Sequence, residues 1–330
     1  MISILENSNK NTYYTFYLIV PSNISKITEN LFLGIISKYK CNISFILVQE
    51  KFENLLNIIP NNTFHNYHLL LLGILIPKEF NKCIYLGNDI CVNHDLSDLF
   101  KIDMKNNYLA GVISLDYYFS EKNHSKRLNL SSMKKYVNKD VLLINLEQIR
   151  IDNMTEEFIK LSKNYNFQAQ DVLNIACYGN IITLPLKFNV MSSYIKKNNQ
   201  ILKYLYKEED IKEAKDSPYI IQYDDKKKPW NDIGIYMEKY WWNIAKKTPF
   251  INRLFTRENI YKNRIKKFWY NIHHKKLNFD NLTTFNEKLQ WLKLYDSTPI
   301  KTMLSDKYLV KEFIKKKNWE KICNSFNRSL

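Results

Sequence analysis

Short runs of β-branched and aromatic residues punctuate the front of the chain: TFYLIVP, NISFILV, KCIYLG, YLAGVISL, DVLLINL and IITLPL. Between them lie longer amphipathic stretches such as ITENLFLGIISKYK and NMTEEFIKLSKNY. Strands alternating with helices in this way predict a three-layer α/β domain up to about Tyr223. After about Trp242 the strand pattern stops, and ENIYKNRIKKFWYNIHHKK, TTFNEKLQWLKLYD and SDKYLVKEFIKKK predict helices. The second of these opens at a Thr N-cap, with Glu287 three residues after Thr284. The expected organisation is an α/β domain over residues 1–245 and a helical segment over 246–330, without an internal repeat.

Composition narrows the class. With 330 residues, 45% of them hydrophobic and 14% aromatic, the chain has length and apolar content for a full core and about two domains. Its longest apolar run, YHLLLLGILIP, is far short of the roughly 20 residues of a membrane span, and MISILENSNK lacks the basic and apolar regions of a signal peptide. The expectation is a cytoplasmic protein. Five cysteines without CxxC spacing point to neither a disulfide framework nor a zinc knuckle. The net charge of +16 is spread as Lys through Asn- and Ile-rich text, and no helix-turn-helix, RNP or zinc-finger pattern accompanies it. A solvated basic face, or attraction to anionic lipid headgroups, is expected, and no nucleic-acid partner.

One strand pattern is interrupted. In CIYLGNDICVNHDLSDLF an apolar run stops at Gly87-Asn88-Asp89 and resumes. Polar residues at the carboxyl end of a strand in an open α/β sheet face a binding crevice, where carboxylates can hold Mg²⁺ or Mn²⁺ against a diphosphate. Gly, Asn and Asp are equally the ordinary residues of a turn.

Company decides between these readings. KCIYLGNDICVNHDLSDLF, YVNKDVLLINLEQIR, NFQAQDVLNIACYGNIITLPLKFNVM and YIIQYDDKKKPWN together resemble, in order, the blocks of the family 8 glycosyltransferases of the lipopolysaccharide type, over about Met1 to Trp230. The resemblance implies a GT-A fold with a mainly parallel mixed sheet. It also implies retaining transfer of a hexose from a nucleotide sugar, usually UDP-linked, to a glycan or lipid-linked acceptor, with Mn²⁺ or Mg²⁺. It casts Gln170 and Asp171 as catalytic residues, with Gln170 beside the anomeric carbon. Asn88, Asn138 and Lys228 become donor-binding residues, Lys228 at the diphosphate, and Asp89 a metal ligand.

The chain departs from the family pattern at several of these positions. Asp-x-Asp reads Gly87-Asn88-Asp89, the block Asn-Ser/Ala-Gly reads Asn138-Lys139-Asp140, Asp-Gln-Asp reads Ala169-Gln170-Asp171, and Gln222 stands at the metal-binding His. A neutral Gln and an absent Asp remove charge that holds Mn²⁺. By the same comparison the family's first strand is missing ahead of MISILENSNK. Without the resemblance, Lys228 reads as one of a solvated KKK run, Gln170 as a surface amide, Asp171 as an N-cap and Trp230 as packing.

A second resemblance covers about Asn259 to Lys317. TFNEKLQWLKLYD and SDKY are similar to the helical lead-in of ATP-grasp proteins of polysaccharide and teichuronopeptide synthesis, and no ATP site is expected before Leu330. Two functions follow as expectations: a nucleotide-sugar glycosyltransferase of surface polysaccharide assembly, or a degenerate, non-catalytic relative acting as a binding or partner module.

Overall fold

The described residues of the computed structural model are 1–20, 24–48, 67–115, 121–163, 167–196, 200–232, 234–248 and 257–295. Strands form at each of the six β-branched and aromatic runs, as β1 (Tyr14–Val20), β2 (Cys41–Leu47), β3 (Lys82–Leu86), β5 (Leu109–Ile113), β6 (Val137–Asn145) and β7 (Ile181–Thr183), and three short ones, β4 (Ile90–Val92), β8 (Val190–Met191) and β9 (Ile220–Gln222), lie outside those runs. They pair as β1-β2, as a four-stranded sheet in the order β3-β6-β5-β7, and as a three-stranded sheet in the order β4-β9-β8. The pairings β1-β2, β5-β7 and β8-β9 are parallel. β6 runs against both its neighbours, and β4 against β9, so the architecture is mixed α/β.

Alternation along β5 and β6 feeds two cores. Ala110, Val112, Val141 and Leu143 face one layer, where Leu99, Val190, Ile221 and Tyr223 close over them. Leu109, Leu142 and Ile144 face the other, against Leu71, Leu146, Phe158 and Leu173. Residues of a strand point alternately to its two faces, so a strand covered on both sides must be apolar throughout. That is why β5 reads LAGVI and is buried at every position. Leu142 and Leu143 are fully buried on opposite faces. Truncating either to Ala costs about 2–5 kcal/mol.

The chain divides into two compact units, Met1–Pro249 and Phe250–Leu330. In the second, helices span Arg257–His273 and Phe285–Tyr295. The Thr284 cap forms as expected: its hydroxyl accepts from the Glu287 N–H at 3.3 Å, and the Glu287 carboxylate accepts from the Thr284 N–H at 2.8 Å. Trp269, Leu277 and Phe279 make a small core there. The stretch SDKYLVKEFIKKK lies outside the described residues. Among the described residues no helix is long and apolar enough to cross a membrane.

Candidate functional site

Gly87-Asn88-Asp89 is the joint between two sheets. It leaves the four-stranded sheet at Leu86 and enters the three-stranded sheet at Ile90. On one side β6 keeps register with β3 through the joint, the Gly87 N–H donating to the Asp140 carbonyl at 2.8 Å. On the other side register breaks: Gly111 pairs with Leu142 but Ile113 with Val137, so Asn138 to Val141 stand opposite Val112 alone. Such bulges re-aim side chains and leave backbone groups unpaired. The freed Lys139 N–H donates to Gln170 Oε1 at 3.0 Å, and the Asp140 N–H to Asn138 Oδ1 at 2.8 Å.

The retained residues gather around this bulge. Lys228 Nζ lies 2.6 Å from Asp89 Oδ2 and also donates to the Tyr223 carbonyl, while the Tyr223 N–H donates to the Asp89 carbonyl at 2.8 Å. Lys226 and Lys227 are exposed, but the Lys228 side chain is only 15% exposed, so it is not one of a solvated run. Gln170 is buried at the start of the helix Ala169–Ala176 rather than on the surface. Its oxygen takes the Lys139 N–H and its Nε2 donates to Ser114 Oγ at 3.2 Å, which fixes the amide's orientation. Asn138 is buried on β6, while Asn88 is exposed at the joint. Trp230 packs against Tyr223 and Trp241.

Asp171 has partners of its own. Its carboxylate, fully buried, accepts from Tyr136 at 2.6 Å, Arg127 Nη2 at 3.0 Å and the Gln168 N–H at 2.9 Å. It is the third residue of a capping box whose N-cap is Gln168, and not the N-cap itself. These contacts hold the start of the helix Ala169–Ala176 to Tyr136 and Arg127.

Asp140 is the residue that sequence reading passed over as a functional group. Its Oδ1 accepts from Lys139 Nζ at 2.8 Å and its Oδ2 from Gln222 Nε2 at 2.7 Å. A Cβ added at Gly87 would lie 2.9 Å from Asp140 Oδ1. The carboxylate thus fills the space beside the glycine. The signal was present as two departures from the family pattern, an Asp lost at 87 and an Asp gained at 140, which strand register alone brings together.

Among the described residues no three His, Cys, Asp or Glu side chains cluster to hold a metal ion. Amide oxygens widen that set. Gln222 must turn its nitrogen to the acceptor-only carboxylate of Asp140, which leaves its buried Oε1 without a partner. Asn189 likewise donates to Asn138 Oδ1 at 3.2 Å and keeps a buried, unpartnered Oδ1. Two carboxylates and an orphaned oxygen fit a hard cation that takes its remaining ligands from phosphate or water.

Residues 1–234 match the family described as Glycosyl transferase family 8, and the chain belongs to that family. A putative glycosyltransferase of Haemophilus influenzae is 31% identical over 209 residues, covering 60% of this chain and 61% of its own length. The lipopolysaccharide 1,2-glucosyltransferase of Escherichia coli is 27% identical over 264 residues, 76% of this chain and 74% of that protein. Among solved structures, apo WbbM, a bifunctional glycosyltransferase, superposes with TM-score 0.68 at 21% identity, over 78% of this chain and 48% of that one. The galactosyltransferase LgtC, in complex with donor and acceptor sugar analogues, gives TM-score 0.57 at 20% identity over 72% of this chain and 96% of that one. The fold is therefore GT-A. The chain spans 61% of the Haemophilus relative and 48% of the WbbM chain.

Proposed function

We propose that this protein transfers a hexose from a nucleotide sugar, UDP-linked, to a lipopolysaccharide or surface-polysaccharide acceptor with retention of configuration. The observation that carries the reading is the convergence of Asp89, Asn138, Asp140, Gln170 and Lys228 at the joint of the two sheets. A departing nucleoside diphosphate gathers negative charge, and donors already in place stabilise it without reorganisation. Lys228 is the donor for that duty, because its ammonium is seated and its approach is set by Asp89 and the Tyr223 carbonyl. Gln170, held by two hydrogen bonds, presents a fixed amide where the anomeric carbon is expected by resemblance. A divalent cation, when bound, supplies further positive charge to the diphosphate. The E. coli relative and the net charge of +16 support work at the cytoplasmic face of a membrane bearing anionic lipid.

The test is UDP release from UDP-glucose and UDP-galactose by the full chain, with rough-form lipopolysaccharide as acceptor. Turnover that disappears in Lys228→Ala supports the reading. Absence of both nucleotide-sugar binding and turnover in the wild type overturns it. The second reading, a non-catalytic binding module, is favoured by the closed Lys228–Asp89 pair and predicts glycan binding with no UDP release. For residues 259–317 we further propose correspondence to an ATP-grasp lead-in, supported by the two helices and the Thr284–Glu287 cap.

A further inference from the structure

We propose that Asp140 has taken over the place of the carboxylate absent at Gly87, and that Asp140, Asp89 and Gln222 Oε1 form an all-oxygen site for a hard divalent cation of the Mg²⁺ class, held together with a nucleotide-sugar diphosphate. The proposal rests on the donor-site reading above and adds the ligand set and its preference.

Three observations carry it. The first is steric: the Asp140 carboxylate lies 2.9 Å from where a residue-87 Cβ would be, tied there by Gln222 and Lys139. The space that a side chain at 87 would claim on the end of β3 is filled from β6.

The second is the orphaned oxygen. Gln222 is buried, its nitrogen is committed to Asp140, and its Oε1 has no partner. A buried carbonyl oxygen left unpaired carries a desolvation cost that is offset when a cation or donor reaches it. Its backbone neighbours place it at the joint, since Gln222 pairs with Ile90, the residue after Asp89.

The third is charge. Lys139 sits on Asp140 at 2.8 Å and Lys228 on Asp89 at 2.6 Å. Two ammoniums balance two carboxylates, the same charge that one divalent cation brings. When the cation takes over the balance at Asp89, Lys228 keeps its seat at the Tyr223 carbonyl and the donor it gave to Asp89 becomes available to a phosphate oxygen, which strengthens the hold on the leaving group. The preference follows from the atoms: with oxygen replacing an imidazole nitrogen, Mg²⁺ gains relative to Mn²⁺, because hard cations take carboxylate, carbonyl and phosphate oxygens.

Calorimetry of UDP with the full chain, in EDTA and in Mg²⁺, Ca²⁺ or Mn²⁺, tests it without an activity readout. Tighter UDP binding in Mg²⁺ than in EDTA is expected, and Asp140→Asn should weaken the Mg²⁺-dependent part by more than about tenfold, a loss that even outer partners of a metal can bring. Gly87→Asp/Asp140→Gly should restore it, and adding Gln222→His should shift the preference to Mn²⁺, seen as loss of the free-ion Mn²⁺ resonance signal. The swapped variant also covers the case in which Asp140→Asn fails to fold. UDP binding equal in EDTA and Mg²⁺ overturns the cation site while leaving the donor-site reading intact. Metal-dependent binding indifferent to Asp140 overturns the ligand assignment, and no UDP binding under any condition overturns both.

Discussion

Lys228 Nζ and Asp89 Oδ2 stand 2.6 Å apart, joined across residues 139 positions distant in sequence. Asp89 is 46% exposed and Lys228 only 15%, so the ammonium is the buried partner. Its seating at the Tyr223 carbonyl fixes the loop that follows β9 to the joint of the two sheets.

Replacing Lys228 with Ala should therefore act twice. Loss of a preorganised charge partner lowers sugar-nucleotide turnover by about 10² to 10³. It also lowers stability by about 1 kcal/mol, a modest figure because solvent screens the exposed Asp89. Steady-state kinetics and a denaturant melt on the same preparation check both; an unchanged rate contradicts the assignment of Lys228 to the diphosphate.

Gly87→Ala should destabilise by about 1–3 kcal/mol, since its Cβ meets a carboxylate held by two partners. In an Asp140→Gly background, which also removes the Asp140 Cβ 3.1 Å from that position, the same change should be nearly silent. A double-mutant cycle by chemical denaturation reads the coupling; additive costs would show that the two side chains do not compete for one space.

Asp171→Asn should cost about 3 kcal/mol, because it strips charge from a fully buried carboxylate facing Arg127 and Tyr136. The rate per folded molecule, measured well below the melt, should stay within a few-fold of wild type. A rate collapse with an unaltered melt would return Asp171 to the chemistry.

Asp95 supplies a pH dependence. Burial raises its carboxyl pKa, but hydrogen bonds from the Ser97 side chain and N–H, the Asn9 N–H and Thr12 outweigh that and hold it at about 2, against 3.8 in the free residue. A carboxyl held low when folded contributes in full above pH 3.8, and the contribution is lost as pH falls toward 2. The melts of wild type and Asp95→Asn should differ at pH 6 and converge near pH 2. A constant difference across that range would remove Asp95 as the source.

The strand runs were legible in the sequence because burial on both faces forces apolar residues at every position, as in LAGVI of β5. The break at Gly87 was legible for the same reason. The pairing of Gly87 with Asp140 was not, since it depends on a register between strands with more than forty residues between them and on the bulge of β6 opposite β5. Composition alone does not tell which lysine of the KKK run turns inward, because that is decided by where Asp89 and the Tyr223 carbonyl arrive; the family resemblance is what singled out Lys228. Asp171 lies one residue from Gln170, yet successive helical residues point about 100° apart, so the two neighbours meet different partners, Tyr136 and Arg127 for one and Lys139 and Ser114 for the other.

The closeness of Gly87 to the Asp140 carboxylate also restricts mutational history. A chain with Asp at both positions would crowd two like charges into one side chain's volume, whereas a chain with Gly at both merely lacks a carboxylate. Passage between an Asp–Gly and a Gly–Asp arrangement therefore runs through the double glycine. Each direction of exchange crosses a stage with one acidic group fewer, and the order of the two substitutions is set by sterics.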